Sequence, residues 1–442
     1  MKTNVFSKNK LRMDDIVLYC YIFSIILTEG TMYGVLKNLY NIGVTNFTFQ
    51  VVSLIIGTIA IIIFGFLRKF RIRISKNNVK VLIILFIYLL IYGIININHI
   101  TTVFSGLVIP FFMACLIDIF YGKKRLFENF FPFYSNIVLV LACVSLWFYI
   151  VGTTLHVVQG ISTFYTNNGW WYEGTNYYYL SFINNWQKID IFGFTIVRNI
   201  GIFMEAPGYA VILQYAFWWE LFGKNRINKK RIVILLITIF TTFSAKAYIS
   251  SAFIIIMYLY SGQTTLSKLW KKIRGVLLPL LICLLVVSSF LMLRMRNISL
   301  NGGDSSFAIR ISDYIAAFKA WKDFPVFGCG FYNLEKVYTY YPSFRNSGAS
   351  TAGIMNVLAY GGVYMAIFYI TPFVKYIRCN KYNSNGYRMC SFVALILFSF
   401  ITGNVQYSNL VILFMAFGYM ADIKNCDFNG ISNAGLHTNR IS

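Results

Sequence analysis

Acidic side chains are scarce in this chain. Fifteen Asp and Glu stand against 39 Lys and Arg in 442 residues, a formal net charge of +24. Few carboxylates leave few ways to build a site. No DxD is present to hold a metal–nucleotide-sugar complex, and there is neither a Gly-rich phosphate loop nor a GxSxG elbow. The three histidines, His99, His156 and His437, are scattered, so no zinc-ligand constellation forms in sequence. None of the eight cysteines makes a CxxC pair, most lie in apolar runs, and Cys329 is the only one expected outside a membrane. That excludes an intramolecular disulfide in the outer segments. No fixed-period repeat runs along the chain. Nucleotide-driven chemistry is therefore not expected, and no metal or cofactor is implied.

Charge of either sign is thin, at 12% of residues, whereas 58% are hydrophobic and the mean hydropathy is +0.63. Apolar runs of roughly 15–23 residues recur from end to end, about the length that crosses a bilayer core. They fall at 16–35, 48–67, 81–96, 101–120, 133–155, 205–222, 232–245, 247–262, 275–293, 352–374, 389–403 and 409–423. A soluble chain of charge +24 would point to nucleic acid. Here 28 of the 39 basic residues fall in seven short loops that alternate along the chain. Lys2, Arg71, Lys123, Lys229, Lys271, Arg378 and Lys424 each mark one of these loops. Twelve spans with both termini cytoplasmic satisfy the positive-inside bias in every loop. The charge is a topology signal and no nucleic-acid partner is expected. The pair 232–245 and 247–262 is short for full spans, but removing both leaves the downstream orientation unchanged. The basic start followed by an apolar run resembles a signal peptide. Without a small-x-small site, and with Thr28, Glu29 and Gly30 closing the run, it reads as a retained first span.

The expected fold is an all-α polytopic membrane protein of about 12 transmembrane helices carrying two large outer segments. Five units follow: a five-helix region (1–155), a first outer segment (156–204), central helices (205–293), a second outer segment (294–351), and C-terminal helices with a tail (352–442). Each outer segment far exceeds a usual connection of about 4–6 residues, and long loops on a rigid scaffold tend to carry function. The first is dense in aromatics, with Trp170, Trp171, Tyr172, Tyr177, Tyr178, Tyr179 and Trp186. Such faces stack on the apolar C–H faces of sugars, or equally form an aromatic belt at the headgroup level. The second carries seven basic residues against Asp304, Asp313, Asp323 and Glu335, a bias that suits an anionic ligand. Ile309, Ile311, Ile315, Ala316, Phe318 and Ala320 trace an amphipathic helix lying along the surface.

Two places hold ionisable residues beside a span. Glu205 stands at the outer mouth of the sixth, with Arg198 seven residues earlier, two turns away on one face if the stretch is helical. Pro207 then falls near a helix start. The pair is either an ion pair that seats the helix or a site, since ionisable groups at membrane depth are site candidates. Lys246, between Ser244 and Tyr248, either snorkels to the outer surface or faces a polar cavity.

At this point the residues carry a resemblance. Arg198-Asn-Ile-Gly-Ile-Phe-Met-Glu205-Ala-Pro resembles the R-x-x-G-x-F-x-E-x-P signature of bacterial Wzy-type polysaccharide polymerases, within the O-antigen ligase/polymerase superfamily. Ser244-Ala-Lys246-Ala-Tyr248 resembles their S-x-(T/K)-x-Y/W stretch. Arg310 through Trp321, Pro325, Gly328 and Gly330 resembles their R…W-x-x-x-P-x-x-G-x-G segment. Ser350-Thr-Ala-Gly353 with Leu358-Ala-Tyr-Gly361-Gly362 resembles the small-residue start of the next span. The four occur in order over roughly residues 195–405.

The resemblance implies a GT-C-like fold in the plasma (inner) membrane. It implies polymerisation of oligosaccharide repeat units carried on undecaprenyl pyrophosphate, at the outer face and without a metal. Arg198 and Arg310 would then take the pyrophosphate through charge-assisted hydrogen bonds, and Glu205 would deprotonate the acceptor hydroxyl or orient Arg198. Lys246, Tyr248, Trp170, Trp171, Trp321 and Arg345 would bind substrate. A flippase and a chain-length regulator are implied as partners, together with the lipid bilayer, for an O-antigen or capsule product. One departure matters: the related ligases carry a histidine entering the span after the large loop, whereas Arg345 to Gly361 contains none. This favours polymerase over ligase. A lipid-oligosaccharide flippase is the alternative from another class, and would show two related halves and charges within its spans.

Overall fold

A computed structural model describes residues 13–34, 46–67, 76–121, 126–167, 171–191, 194–223, 227–261, 306–342, 352–380 and 386–421. The protein is mostly helical. The helices are α1 Met13–Thr28, α2 Asn46–Leu67, α3 Lys76–Ile95, α4 Ile100–Val103, α5 Ile109–Tyr121 and α6 Leu126–Trp147. After the first outer segment come α7 Ala206–Phe222, α8 Lys229–Thr241 and α9 Ala245–Tyr260. The second outer segment contributes α10 Ser306–Asp323 and α11 Leu334–Tyr338, and the chain continues as α12 Gly353–Asn380, α13 Gly386–Thr402 and α14 Asn409–Met420. A π-helical turn, Phe104–Val108, joins α4 to α5, and a second, Phe148–Thr154, extends α6.

Five stretches are long and apolar enough to cross a membrane: Phe49–Leu67, Lys76–Ile95, Ile97–Tyr121, Asn129–Thr154 and Gly353–Arg378. This is a membrane protein. A helix covers all or most of eleven of the twelve expected spans, and 275–293 lies outside the described residues. The shorter helices include α9, α13 and α14, which remain apolar.

Burial separates lipid-facing helices from inner ones. On α2 the side chains of Ile55, Ile59, Ile62 and Phe66 are exposed, as are Ile83, Ile84, Ile87 and Ile91 on α3. In a bilayer such apolar surface meets lipid tails at no cost. By contrast α7 is buried on all sides from Tyr209 to Phe222, and α14 from Leu410 to Met420, as expected of helices apolar all round. Aromatic rings bind these inner helices to α6 and α13: Phe131 stacks on Trp219 at 5.3 Å and on Phe414 at 5.6 Å, and Trp218 meets Phe392 at 4.7 Å. Such contacts are worth about 0.5–1.5 kcal/mol each beyond their buried area. At the end of α7, fully buried Glu220 pairs with Arg231 Nε at 3.1 Å. Arg231 Nη2 also donates to Asn136 Oδ1 at 2.6 Å, and the Arg388 guanidinium lies 5.0 Å from the Trp219 ring.

Strands among the described residues are confined to the first outer segment. There β1 Ser162–Asn167, β2 Trp171–Tyr177 and β3 Ser181–Asn184 form an antiparallel meander, and β4 Lys188–Ile191 pairs with β5 Phe194–Val197. The aromatic and β-branched content read as a stacking surface is also what favours pleated structure. Asn176 Oδ1 accepts from Tyr179 N at 2.8 Å, closing the β2–β3 turn. The segment docks on the helices through Tyr149, whose hydroxyl donates to Val197 O at 2.9 Å, and through Phe148 stacked on Tyr177 at 5.5 Å.

The helix expected over 309–320 is present as α10, but its apolar stripe divides. Ala316, Ala317 and Ala320 are fully buried against Ala359 and Tyr360 of α12, whereas Ile311, Ile315 and Phe318 face outward. Small residues go inward because α10 packs close on α12. The chain after α10 then locks into a break in α12. Gly362 has φ 61°, ψ −164°, so the helix opens there. Its freed neighbours Val363 N and Tyr364 N donate to Pro325 O (2.9 Å) and Val326 O (3.0 Å), while Cys329 N donates back to Ala359 O at 2.8 Å. A Cβ on Gly362 would stand 2.2 Å from Val326 O, and one on Gly328 (φ +71°) 2.2 Å from the Tyr360 carbonyl carbon. The two glycine motifs, more than thirty residues apart, are halves of one joint.

Candidate functional site

Arg198 directly follows β5 and Glu205 is the N-cap of α7; the residues between them are not helical. The shared helical face expected for the pair is therefore corrected: a loop, not a helix, links the two. That loop is held at both edges. Asn199, fully buried, donates through its backbone N to Thr241 O (2.9 Å) and through Nδ2 to Thr241 Oγ1 (3.0 Å) at the end of α8. On the other side Met32 N donates to Ile202 O (2.8 Å) and Met204 N to Gly30 O (2.9 Å), with a bridge between Thr31 and Phe203. Arg198 Nε donates to Thr242 O at 2.9 Å, which holds the guanidinium over the α8–α9 turn. Glu205 is exposed, and its carboxylate makes no hydrogen bond or ion pair among the described residues. The ion-pair reading of Arg198 and Glu205 thus finds no contact to support it. Pro207 falls in the first turn of α7, as expected.

The α8–α9 turn is tight. Phe243 has φ 45°, uncommon for a bulky residue, and Ser244 caps α9 in extended conformation. Lys246 lies in the first turn of α9, half-buried, with no hydrogen bond or ion pair to its ammonium among the described residues. It lies within electrostatic reach of Arg310, Glu205 and Arg198. Its Nζ stands 3.3 Å from where a Cβ on Gly403 would be, so the loop after α13 approaches the ammonium closely. Arg310, on the first half of α10, donates from Nη1 to Thr402 O at 3.4 Å, just before that loop. Tyr314 OH, one turn on, donates to Ile401 O. Three cations and one carboxylate from three separate chain segments therefore share one neighbourhood.

Other expected residues are placed differently. Tyr248 donates its hydroxyl to Phe240 O at 2.7 Å and stacks on the Phe240 ring at 5.8 Å, within electrostatic reach of Arg198. Trp321 spends its indole N–H on Pro325 O at 3.2 Å, closing the end of α10. Trp170, Arg345 and the Trp171 side chain lie outside the described residues. In the second outer segment, burial pushes the Cys329 thiol up to about 11, which makes it a poor nucleophile. No cluster of His, Cys, Asp and Glu able to hold a metal occurs among the described residues. His99 packs against Gly330, away from any such group.

Residues without a sequence signal complete the arrangement. Gln187, in the turn before β4, accepts Arg198 N on its backbone carbonyl at 3.0 Å. Its side-chain Oε1 accepts from Ala206 N (2.9 Å) and its Nε2 donates to Met204 O (2.8 Å). Asn356, Asn404 and Gln406 form an amide group beside Gly403: Asn356 Nδ2 and Gln406 Nε2 both donate to Asn404 Oδ1, at 3.1 and 2.5 Å. Apart from the Gln406–Asn404 bond, two residues apart, these contacts join positions eleven or more residues apart, so local spacing carried no trace of them.

Residues 232–370 match the family model for O-antigen ligase. The match covers about a third of the 442 residues, taking in Lys246, Tyr248, Arg310, Trp321 and Arg345 and stopping short of Arg198 and Glu205. It supports similarity to the O-antigen ligase/polymerase superfamily and does not separate polymerase from ligase. No curated protein matches the chain.

Proposed function

We propose that this protein polymerises oligosaccharide repeat units carried on undecaprenyl pyrophosphate, at the outer face of the plasma membrane. The observation that carries the reading is the gathering of Arg198, Arg310 and Glu205 within electrostatic reach of Lys246. The growing chain is the donor, joined through its anomeric carbon to the lipid pyrophosphate. A hydroxyl of the next lipid-linked unit attacks that carbon, the bond to the pyrophosphate oxygen breaks, and the lipid pyrophosphate leaves with the electron pair. Arg198 and Arg310 receive its charge through directed N–H donors, and Lys246 adds a point charge between them. Glu205 takes the acceptor proton. The leaving group departs as an already stable anion, so the reaction proceeds without nucleotide or metal.

The same stabilisation would serve a ligase that attaches finished glycan, which the family match fits equally. The stretch from Gly353 to Gly361 opening α12 carries no histidine, which favours polymerase. In the topology that supports this reading, twelve spans put both termini in the cytoplasm and both large segments outside. A flippase and a chain-length regulator work beside the polymerase.

Deleting the gene and separating surface glycan from undecaprenyl-linked intermediates on a gel tests the reading. Loss of the ladder with single units still exported supports a polymerase. Long chains stranded on undecaprenyl would mean a ligase, and single units trapped at the inner face a flippase.

A further inference from the structure

We infer that Gln187 is a positioning residue of this site: by capping α7 in place of Glu205, it leaves the Glu205 carboxylate available to the acceptor hydroxyl. The inference rests on the polymerase reading above and assigns a second residue to Glu205's task.

A carboxylate at a helix N-cap has an attractive place to fold back to, because the first-turn N–H groups and the positive end of the helix dipole both favour it. A carboxylate so engaged would be a weaker base and would point into the helix rather than the site. In α7 every such donor is already used or missing. Ala206 N–H goes to Gln187 Oε1 at 2.9 Å. Pro207 has no N–H. Gly208 and Tyr209 N–H both go to the Glu205 backbone carbonyl, at 3.1 and 3.0 Å. The other half of the Gln187 amide donates to Met204 O at 2.8 Å, so one side chain spans the backbone on both sides of Glu205. The outcome is visible: Glu205 makes no side-chain cap and remains exposed.

Gln187 also holds the other half of the site, but by a different atom. Its backbone carbonyl accepts Arg198 N at 3.0 Å, a contact that survives replacement of the side chain. Truncating the side chain should therefore disturb Glu205 while leaving Arg198 in place. In kinetic terms the loss falls on kcat, and the KM for the lipid-linked donor stays put. A merely structural residue would move both, along with protein level.

The test uses the full-length protein in proteoliposomes, with lipid-linked repeat units extracted from cells that lack the gene as substrate. Gln187→Ala, Glu205→Gln and the double variant are compared. Gln187→Ala should lower kcat on the order of ten- to a hundred-fold, the scale of a misplaced catalytic group, with KM unchanged. The double variant should be no slower than Glu205→Gln alone, because Gln187 acts through Glu205. Should Gln187→Ala fail to accumulate, Gln187→Met keeps the bulk without the cap and takes its place. Full activity in either Gln187 variant, or losses that multiply in the double variant, would overturn the inference while leaving the polymerase reading intact. Normal polymerisation by Glu205→Gln would instead remove Glu205 from the mechanism, and the inference with it.

Discussion

Arg198 and Arg310 reach the same neighbourhood by unlike routes, one from a strand end tied to Thr242 and the other from a surface helix tied to Thr402. If both stabilise the leaving pyrophosphate, neither substitutes for the other. Arg198→Ala and Arg310→Ala should each lower polymer formation at least ~100-fold, the usual effect of removing one directed donor to developing charge, with protein level in the membrane unchanged. A surface-glycan gel with an immunoblot reads both, and near-normal polymer in both variants would remove the pyrophosphate assignment. Arg198→Lys should not restore the ladder, since an ammonium lacks the planar fork. Gly403→Leu offers a subtler probe. Its side chain would crowd the Lys246 ammonium, and the expected result is shorter or scarcer polymer at normal protein abundance.

At the scale of elements, the joint between 325–330 and the opened turn of α12 holds the second outer segment to the membrane body. Gly328 and Gly362 both have positive φ and both lack room for a Cβ. Gly328→Ala and Gly362→Ala should each cost about 1–3 kcal/mol from backbone strain alone, with the backbone clash adding to it. Protease sensitivity of α10 in intact spheroplasts should rise, and polymer should fall because Arg310 rides on that helix. An unchanged cleavage pattern would argue that the joint is not what positions α10. The first outer segment poses a different question. Trp170→Ala with Trp171→Ala should shorten chains if the two rings grip sugar, whereas unchanged chain length would favour an aromatic belt. The exposure of Trp186 and Phe194 on the same segment suits either role.

For the whole molecule, the positive-inside pattern makes a labelling prediction. Single cysteines at Lys188 and Lys319 should react with a membrane-impermeant maleimide from outside, and one at Lys229 only after permeabilisation, in a background without the native cysteines. Reaction of Lys229→Cys in intact cells would invert the orientation and move the proposed site to the cytoplasm.

Hydrophobic runs and alternating basic loops made the helical membrane body legible from composition, because a bilayer admits few backbone solutions and each span must satisfy its own hydrogen bonds. Glu205 and Lys246 stood out for a related reason: ionisable residues are rare enough beside a span to be conspicuous, whereas Arg310 was marked only by the family resemblance. The strands of the first outer segment were not legible, since aromatic clusters serve a sheet, a belt and a sugar platform alike. Nor was the outward turn of Ile311, Ile315 and Phe318, which depended on how closely α10 packs on α12. The amino-acid order alone determined the class of protein, the spacing of its helices and the kinds of charge in the two long segments between them. Only the tertiary structure decided that Arg198 and Arg310 come within electrostatic reach of Lys246, and that the Gln187 side chain rather than that of Glu205 accepts the first N–H of α7. Those outcomes rest on contacts between segments remote in the chain, and no local pattern of residues encodes them.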